Sequence, residues 1–146
     1  MVPNLQFYNH VAELSDVELQ QLVSWAEQAL PGCLENPAPE GTQNLPALGE
    51  VEISIVSDEI IGQVHDEFFN DPDPTDVITF QHGEILVSYD TAKLSAQEYL
   101  HSSLKELFLY VVHGLLHLNG HLDHETQLRE VTVSYTHLTL PTIYSV

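Results

Sequence analysis

The chain is predicted to fold as a single α+β domain, a small mixed sheet packed with helices. Three observations predict it. Short alternating or β-branched runs are interleaved with amphipathic stretches, the strongest helical stretch comes after the last strand-like run, and 146 residues suffice to bury one core without staples.

In chain order, Leu5 to His10 reads as a first strand. Ser15-Asp-Val-Glu18 is a capping box, a hydroxyl and a carboxylate spaced to satisfy each other's free backbone N–H. It opens an amphipathic helix expected to reach about Leu30, where Pro31-Gly32 stops it. Residues 34–48 are rich in Pro, Gly, Asn and Glu without periodicity, and read as a loop. Glu50-Val-Glu-Ile-Ser-Ile-Val56 alternates as a half-buried strand does, and Asp58 is expected to cap a second helix running to about Phe69. After the turn-rich Asn70-Asp-Pro-Asp-Pro74, Val77 to Phe80 and Ile85 to Ser88 form an expected strand pair. Ser95-Ala-Gln-Glu98 is a second capping box, expected to open the helical region that carries Leu104, Leu107, Phe108, Val111, Val112, Leu115, Leu116 and Leu118. Trp25, Phe68, Phe69, Phe80 and Phe108, at apolar-periodic positions, are expected in the core.

Charge bounds the partners. With 22 acidic residues against Lys93, Lys105 and Arg129, the formal charge is −19, which repels nucleic-acid phosphates at long range and offers little counterion release. The single cysteine, Cys33, excludes an intramolecular disulfide framework and a cysteine-rich zinc site, so any metal has to be held by histidine and carboxylate. No stretch approaches the roughly 20 apolar residues that cross a bilayer, and the N-terminus lacks the basic start of a signal peptide. The expectation is a soluble, cytoplasmic protein without membrane partners.

The run with most chemistry is His113-Gly-Leu-Leu-His117-Leu-Asn-Gly120-His121-Leu-Asp123-His124. Imidazoles four apart on a helix share a face, and Gly120 lets the chain turn so that a third ligand returns to the same ion. Three protein ligands leave a tetrahedral zinc one open position for water, whose pKa falls toward about 7. The run is not the HExxH of metalloproteases: Gly114 stands where their general-base glutamate would, so peptide hydrolysis by that route is disfavoured. His10, His65, His82 and His101 have no partner spacing and read as ordinary, and His137 falls in the C-terminal tail.

Together with Pro74-Thr-Asp-Val-Ile-Thr-Phe80 upstream, this run resembles the YbeY family of bacterial metal-dependent endoribonucleases and rRNA maturation factors, whose motifs read close to PTDVLSF and HGxLHLxGYDH. Gly83-Glu-Ile-Leu-Val-Ser88 is similar to the family's GDIxIS stretch, and Glu106 sits where an acidic residue usually precedes the metal motif. The resemblance spans roughly residues 50–124, and two ordered motifs are far more specific than one. It implies one zinc ion held by three side chains, cleavage of single-stranded RNA in 16S rRNA 3′-end maturation and ribosome quality control, and rRNA, the ribosome or its assembly factors as partners. An alternative is a ribosome-assembly binding protein whose metal is structural and whose nuclease activity is small.

Against the family pattern, the third ligand is open. The position ten residues after His113 is Asp123, with His124 one later. Spacing favours Asp123 and residue type favours His124, and zinc accepts either. His121 is expected to fill the family's tyrosine position. Phe69 stands nearest to the place where members usually carry an arginine, which weakens the expectation of phosphate binding. Thr75, Asp76 and Glu106 are candidates to approach the substrate or support a ligand; equally, Thr75 and Asp76 form a turn with a capped strand start, and Glu106 a salt-bridge partner.

The end of the chain departs from the rest. No residue from 131 onward is charged, and Val133-Ser-Tyr-Thr-His-Leu-Thr-Leu-Pro-Thr142 resembles one reading frame of an adapter used in transposon-based sequencing libraries. The expectation is a native domain over residues 1–131, truncated before the family's C-terminal helix, followed by a non-native tail over 132–146. The alternative is a native β-prone tail.

Overall fold

A computed structural model of the chain describes residues 2–35 and 45–120. His121, Asp123, His124 and the tail over 132–146 lie outside the described residues, as does most of the expected loop. The elements in order are β1 (Asn4–Asn9), α1 (Asp16–Glu35), β2 (Glu50–Val56), α2 (Asp58–Phe69), β3 (Val77–Phe80), β4 (Glu84–Ser88), α3 (Tyr89–Glu98) and α4 (Ser103–Leu118), with a short 3-10 turn at Leu45–Ala47. The sheet runs β1-β2-β4-β3. β1, β2 and β4 are parallel, as their long helical connections require, and β3 is the antiparallel edge strand, joined to β4 by a tight turn. This is the α+β class with the mixed sheet that the sequence predicts.

The two sheet faces bury different helices. Val51, Ile53, Ile55, Ile85 and Val87 point into the main core, which α1 and α4 close. Val56, Leu86 and Ile78 point the other way, onto Ile61 of α2. Within α4, Leu107, Phe108, Val111, Val112, Leu115 and Leu118 are wholly buried. At about 1.5–3 kcal/mol per buried large side chain, α4 is the element the fold can least spare. Trp25 meets Phe108 edge-to-face at 5.7 Å, so both belong to this core as expected.

Three expected helix boundaries move, each for a tertiary reason. Helix α1 does not stop at Pro31-Gly32 but continues to Glu35 with Pro31 inside it. The lost N–H of proline costs a helical bond. Burial of Leu30 and Cys33 offsets that cost, as does the buried Asn119 side chain, whose Nδ2 donates to the carbonyl of Cys33 at 2.8 Å. Helix α2 is capped by Ser57, which accepts the N–H of Ile60 at 3.3 Å, rather than by Asp58. Asp58 lies one residue inside and is taken up elsewhere, accepting from Ser88 Oγ at 2.5 Å and Thr91 Oγ1 at 2.7 Å. Its own N–H donates to Asp90 at 2.8 Å, so the first turns of α2 and α3 brace each other.

The third correction divides one expected helix into two. Ser95 does not open a helix; it lies inside α3, which Ser88 caps, and Ser102 caps α4 separately. The capping box at Ser15, by contrast, forms as expected, with Glu18 N–H on Ser15 Oγ at 3.1 Å and Ser15 N–H on Glu18 Oε1 at 3.2 Å. Between α3 and α4 the chain turns at Leu100, which has a left-handed φ of 57° and is 91% exposed. The turn closes through His101 N–H on the carbonyl of Ala96 at 3.0 Å, the helix-ending bond that normally places glycine in this left-handed position. A leucine there costs about 1–2 kcal/mol of local strain and gains no burial. Leu100→Gly is therefore expected to raise stability by about 0.5–1 kcal/mol, after the added entropy of the unfolded chain is subtracted. A urea midpoint that stays put or falls contradicts this.

Candidate functional site

One face of α4 carries Glu106, Tyr110, His113 and His117, spaced by four, three and four residues. The two histidines come to the surface of a cleft of about 310 Å³ between α4 and the edge strand β3. Val77, Ile78 and Thr79 of β3 form its floor, Thr75 stands at the strand entrance, and His65 and Phe69 close it from the last turns of α2. His113 is buried and His117 half-buried, so the first ring is fixed by packing while the second meets solvent.

Gly114 explains how the helix comes so close to the sheet. A Cβ there would lie 2.8 Å from both Cδ1 and Cγ2 of Ile85, well inside van der Waals contact. The position after the first histidine therefore faces β4 and not the cleft. A glutamate at 114 has no path to the histidine pair, which removes the metalloprotease mechanism on geometric as well as sequence grounds. After His117 the helix ends at Asn119, and Gly120 adopts the left-handed conformation, φ 102, that the predicted turn needs.

Two of the expected metal ligands, His113 and His117, are thus brought together on one cleft wall. Among the described residues no group of three or more His, Cys, Asp or Glu is placed to hold a metal ion. The third donor is expected from Asp123 or His124, both outside the described residues. A pair of imidazoles one helical turn apart, with a glycine turn directly after them, is a donor set that fits zinc.

The supporting candidates separate. Thr75 lines the cleft. Asp76 turns its Oδ1 to the N–H of Val77 at 2.8 Å and the hydroxyl of Thr75 at 3.4 Å, so it caps the start of β3. Glu106 is wholly buried, and its Oε1 lies 2.7 Å from His101 Nε2, a hydrogen-bond contact near the start of α4. His101 and His65 both read as ordinary in the sequence, and both have specific roles in the fold. His65 Nδ1 lies 2.8 Å from the carbonyl of Asp73. A carbonyl only accepts, so Nδ1 carries the proton and a neutral His65 keeps its lone pair on Nε2. The overlooked signal was the i, i+4 relation of His65 to Phe69.

Phe68 and Phe69 correct another expectation, because they are not core: they are 60% and 55% exposed. Both lie in the last turn of α2, where Phe69 lines the cleft beside β3 and Phe68 meets Phe80. Phe80 is partly buried against the smaller core, closer to expectation.

Tyr110, between Glu106 and His113 on the same helix face, has its phenol raised well above 10.0, first by burial and then by the Glu106 and Asp76 carboxylates. The folded state thus favours the neutral phenol. Its contribution is fully present below about pH 10 and is lost as pH rises beyond that value. Melting temperatures of wild type and Tyr110→Phe are expected to fall in parallel up to about pH 9, with the wild type falling faster above about pH 10. Parallel curves throughout contradict the assignment.

The fold and the cleft define a class of protein: a small α+β domain that presents a helical imidazole pair beside an edge strand. The chain belongs to the endoribonuclease YbeY family, whose model matches residues 7–137. The endoribonuclease YbeY of Nautilia profundicola is 39% identical over 90 residues, covering 56% of this chain and 64% of that relative, just under two thirds of its length. The endoribonuclease YbeY of a Geobacillus species is 29% identical over a match covering 89% of this chain and 88% of the relative. The solution structure of TM1509 from Thermotoga maritima shares the fold, with a TM-score of 0.59 at 22% identity over 97% of this chain and 92% of that one. No described helix is long and apolar enough to cross a membrane.

Proposed function

We propose that the chain is a zinc-dependent, single-strand-specific endoribonuclease of the cytoplasm, acting in 16S rRNA 3′-end maturation and ribosome quality control beside the ribosome or its assembly factors. The observation that carries this reading is the placement of His113 and His117 on the wall of one cleft, in a chain of an endoribonuclease family. When bound there, by His113, His117 and either Asp123 or His124, zinc supplies Lewis acidity to a phosphodiester. The chain's own residues do the rest. Packing fixes His113, the Thr75 hydroxyl, which donates to Asp76, offers an acceptor at the entrance, and recruitment of the RNA's own 2′-hydroxyl as nucleophile reduces the need for a protein base.

A second reading, an assembly protein with a structural metal and little nuclease activity, is favoured by one observation: among the described lining residues there is no lysine or arginine to hold a phosphate. Incubating purified full-length protein with a labelled single-stranded RNA, with chelator and after zinc is restored, separates the two. Cleavage that chelator stops and zinc restores supports the nuclease. No cleavage in either state, with a melting temperature that chelator lowers, supports the structural ion.

A further inference from the structure

We infer that the exposed aromatic rings at the end of α2, Phe68 and Phe69, form a base-stacking platform, by which the cleft holds single-stranded RNA through its bases and not its phosphates. This rests on the nuclease reading above and specifies how the substrate is held.

The rings form two sets, carried by neighbouring positions at the end of α2. Phe69 and His65 both line the histidine cleft, with centroids 5.5 Å apart. Phe68, next in sequence to Phe69, meets Phe80 edge-to-face at 5.0 Å, and Phe80 in turn stacks on His82 at 5.7 Å and 19°. Phe69 and His65 thus stand beside the histidine pair, and Phe68 lies next along α2 with its own ring partners. Phe68 and Phe69 are more than half exposed and the His82 side chain is 71% exposed, while His65 and Phe80 are half-buried. Two adjacent large aromatic side chains left in water lose their burial energy unless something covers them.

Charge selects what covers them. Asp66, Glu67, Asp71 and Asp73 flank the phenylalanines in sequence, and no cation lines the cleft among the described residues. Lys93, the cation of the described ion pairs, is engaged by Glu13 at 2.9 Å and Asp90 at 3.6 Å. The described lining therefore offers no cation to a phosphate backbone. Base faces are uncharged, and stacking on aromatic side chains retains its strength where phosphate contacts are absent. An unpaired strand exposes those faces, whereas a duplex hides them, so the platform also gives the single-strand preference a physical cause.

The test measures binding of a labelled 2′-O-methyl single strand, which lacks the nucleophilic hydroxyl, to full-length wild type, Phe68→Ala, Phe69→Ala, Phe69→Leu and Phe69→Trp. Each alanine variant is expected to weaken binding about 5- to 100-fold, Phe69→Leu to weaken it although it keeps apolar bulk, and Phe69→Trp to retain it. Affinity is expected to stay level or rise with salt between about 50 and 200 mM, opposite to binding through phosphates. An abasic strand is expected not to bind. Unchanged affinity in folded Phe68→Ala and Phe69→Ala overturns the platform, as does a steep loss of affinity with salt. Self-association that Phe69→Ala abolishes while RNA affinity stays constant also overturns it, and assigns the rings to a second copy of the chain. The underlying nuclease reading fails separately: it falls if wild type shows no chelator-sensitive cleavage while the phenylalanines still govern binding, and it stands if cleavage occurs but binding ignores them.

Discussion

If the proposed metal site holds, His113→Ala and His117→Ala are each expected to lower chelator-sensitive RNA cleavage on the order of 10³-fold or more, since each removes a proposed ligand and with it the activation a bound metal would supply. The two variants should differ in stability. His113 is 8% exposed and sits in the packed wall between α4 and β3, so its truncation leaves a cavity and is expected to cost about 1–3 kcal/mol. His117 is half-buried, and its truncation should cost less. The check is paired: cleavage rates with and without zinc, beside urea melts of both variants. Cleavage within about threefold of wild type in folded His117→Ala would sink the metal-nuclease assignment.

Gly114→Glu, which writes the metalloprotease motif into this helix, is expected to unfold the domain at 37 °C and confer no peptidase activity. The new Cβ starts 2.8 Å from two carbons of Ile85, itself wholly buried, and the carboxylate would have to lie in the apolar contact between α4 and β4. Overpacking alone costs about 1–3 kcal/mol, and an unpaired buried carboxylate adds several more. Gly114→Ala isolates the steric part. It should lower the melting temperature by several degrees, and Ile85→Val, which removes the Cδ1 carbon, should recover part of the loss in a double-mutant cycle. Simple additivity of those two substitutions would show that the contact with Ile85 is not the cause.

How far the sequence carried the structure depended on the range of the interaction. The Ser15 box was legible because its partners are three residues apart and settle the matter locally. The continuation of α1 through Pro31 was not, because the side chain that supports its end, Asn119, is 86 residues away. Ser57 and Asp58 are both good capping residues, and what decides between them is that Ser88 and Thr91 claim the Asp58 carboxylate. In the site, the helical pair His113 and His117 was legible from spacing alone. His65 was hidden because the cleft is made by three elements, and a histidine on α2 acquires meaning only once the end of that helix is known to line the cleft beside the edge strand. Phe68 and Phe69, expected in the core, lie at the surface in the same last turn.

The order of the elements has a consequence for the timing of synthesis. β1 cannot enter the sheet until β2 has been made, β2 in turn borders β4, and the main core closes only when α4 packs on both α1 and the sheet. The two histidines ride on α4, the last of the described helices. A partly made chain on the ribosome therefore carries neither the finished core nor the cleft until translation has passed α4.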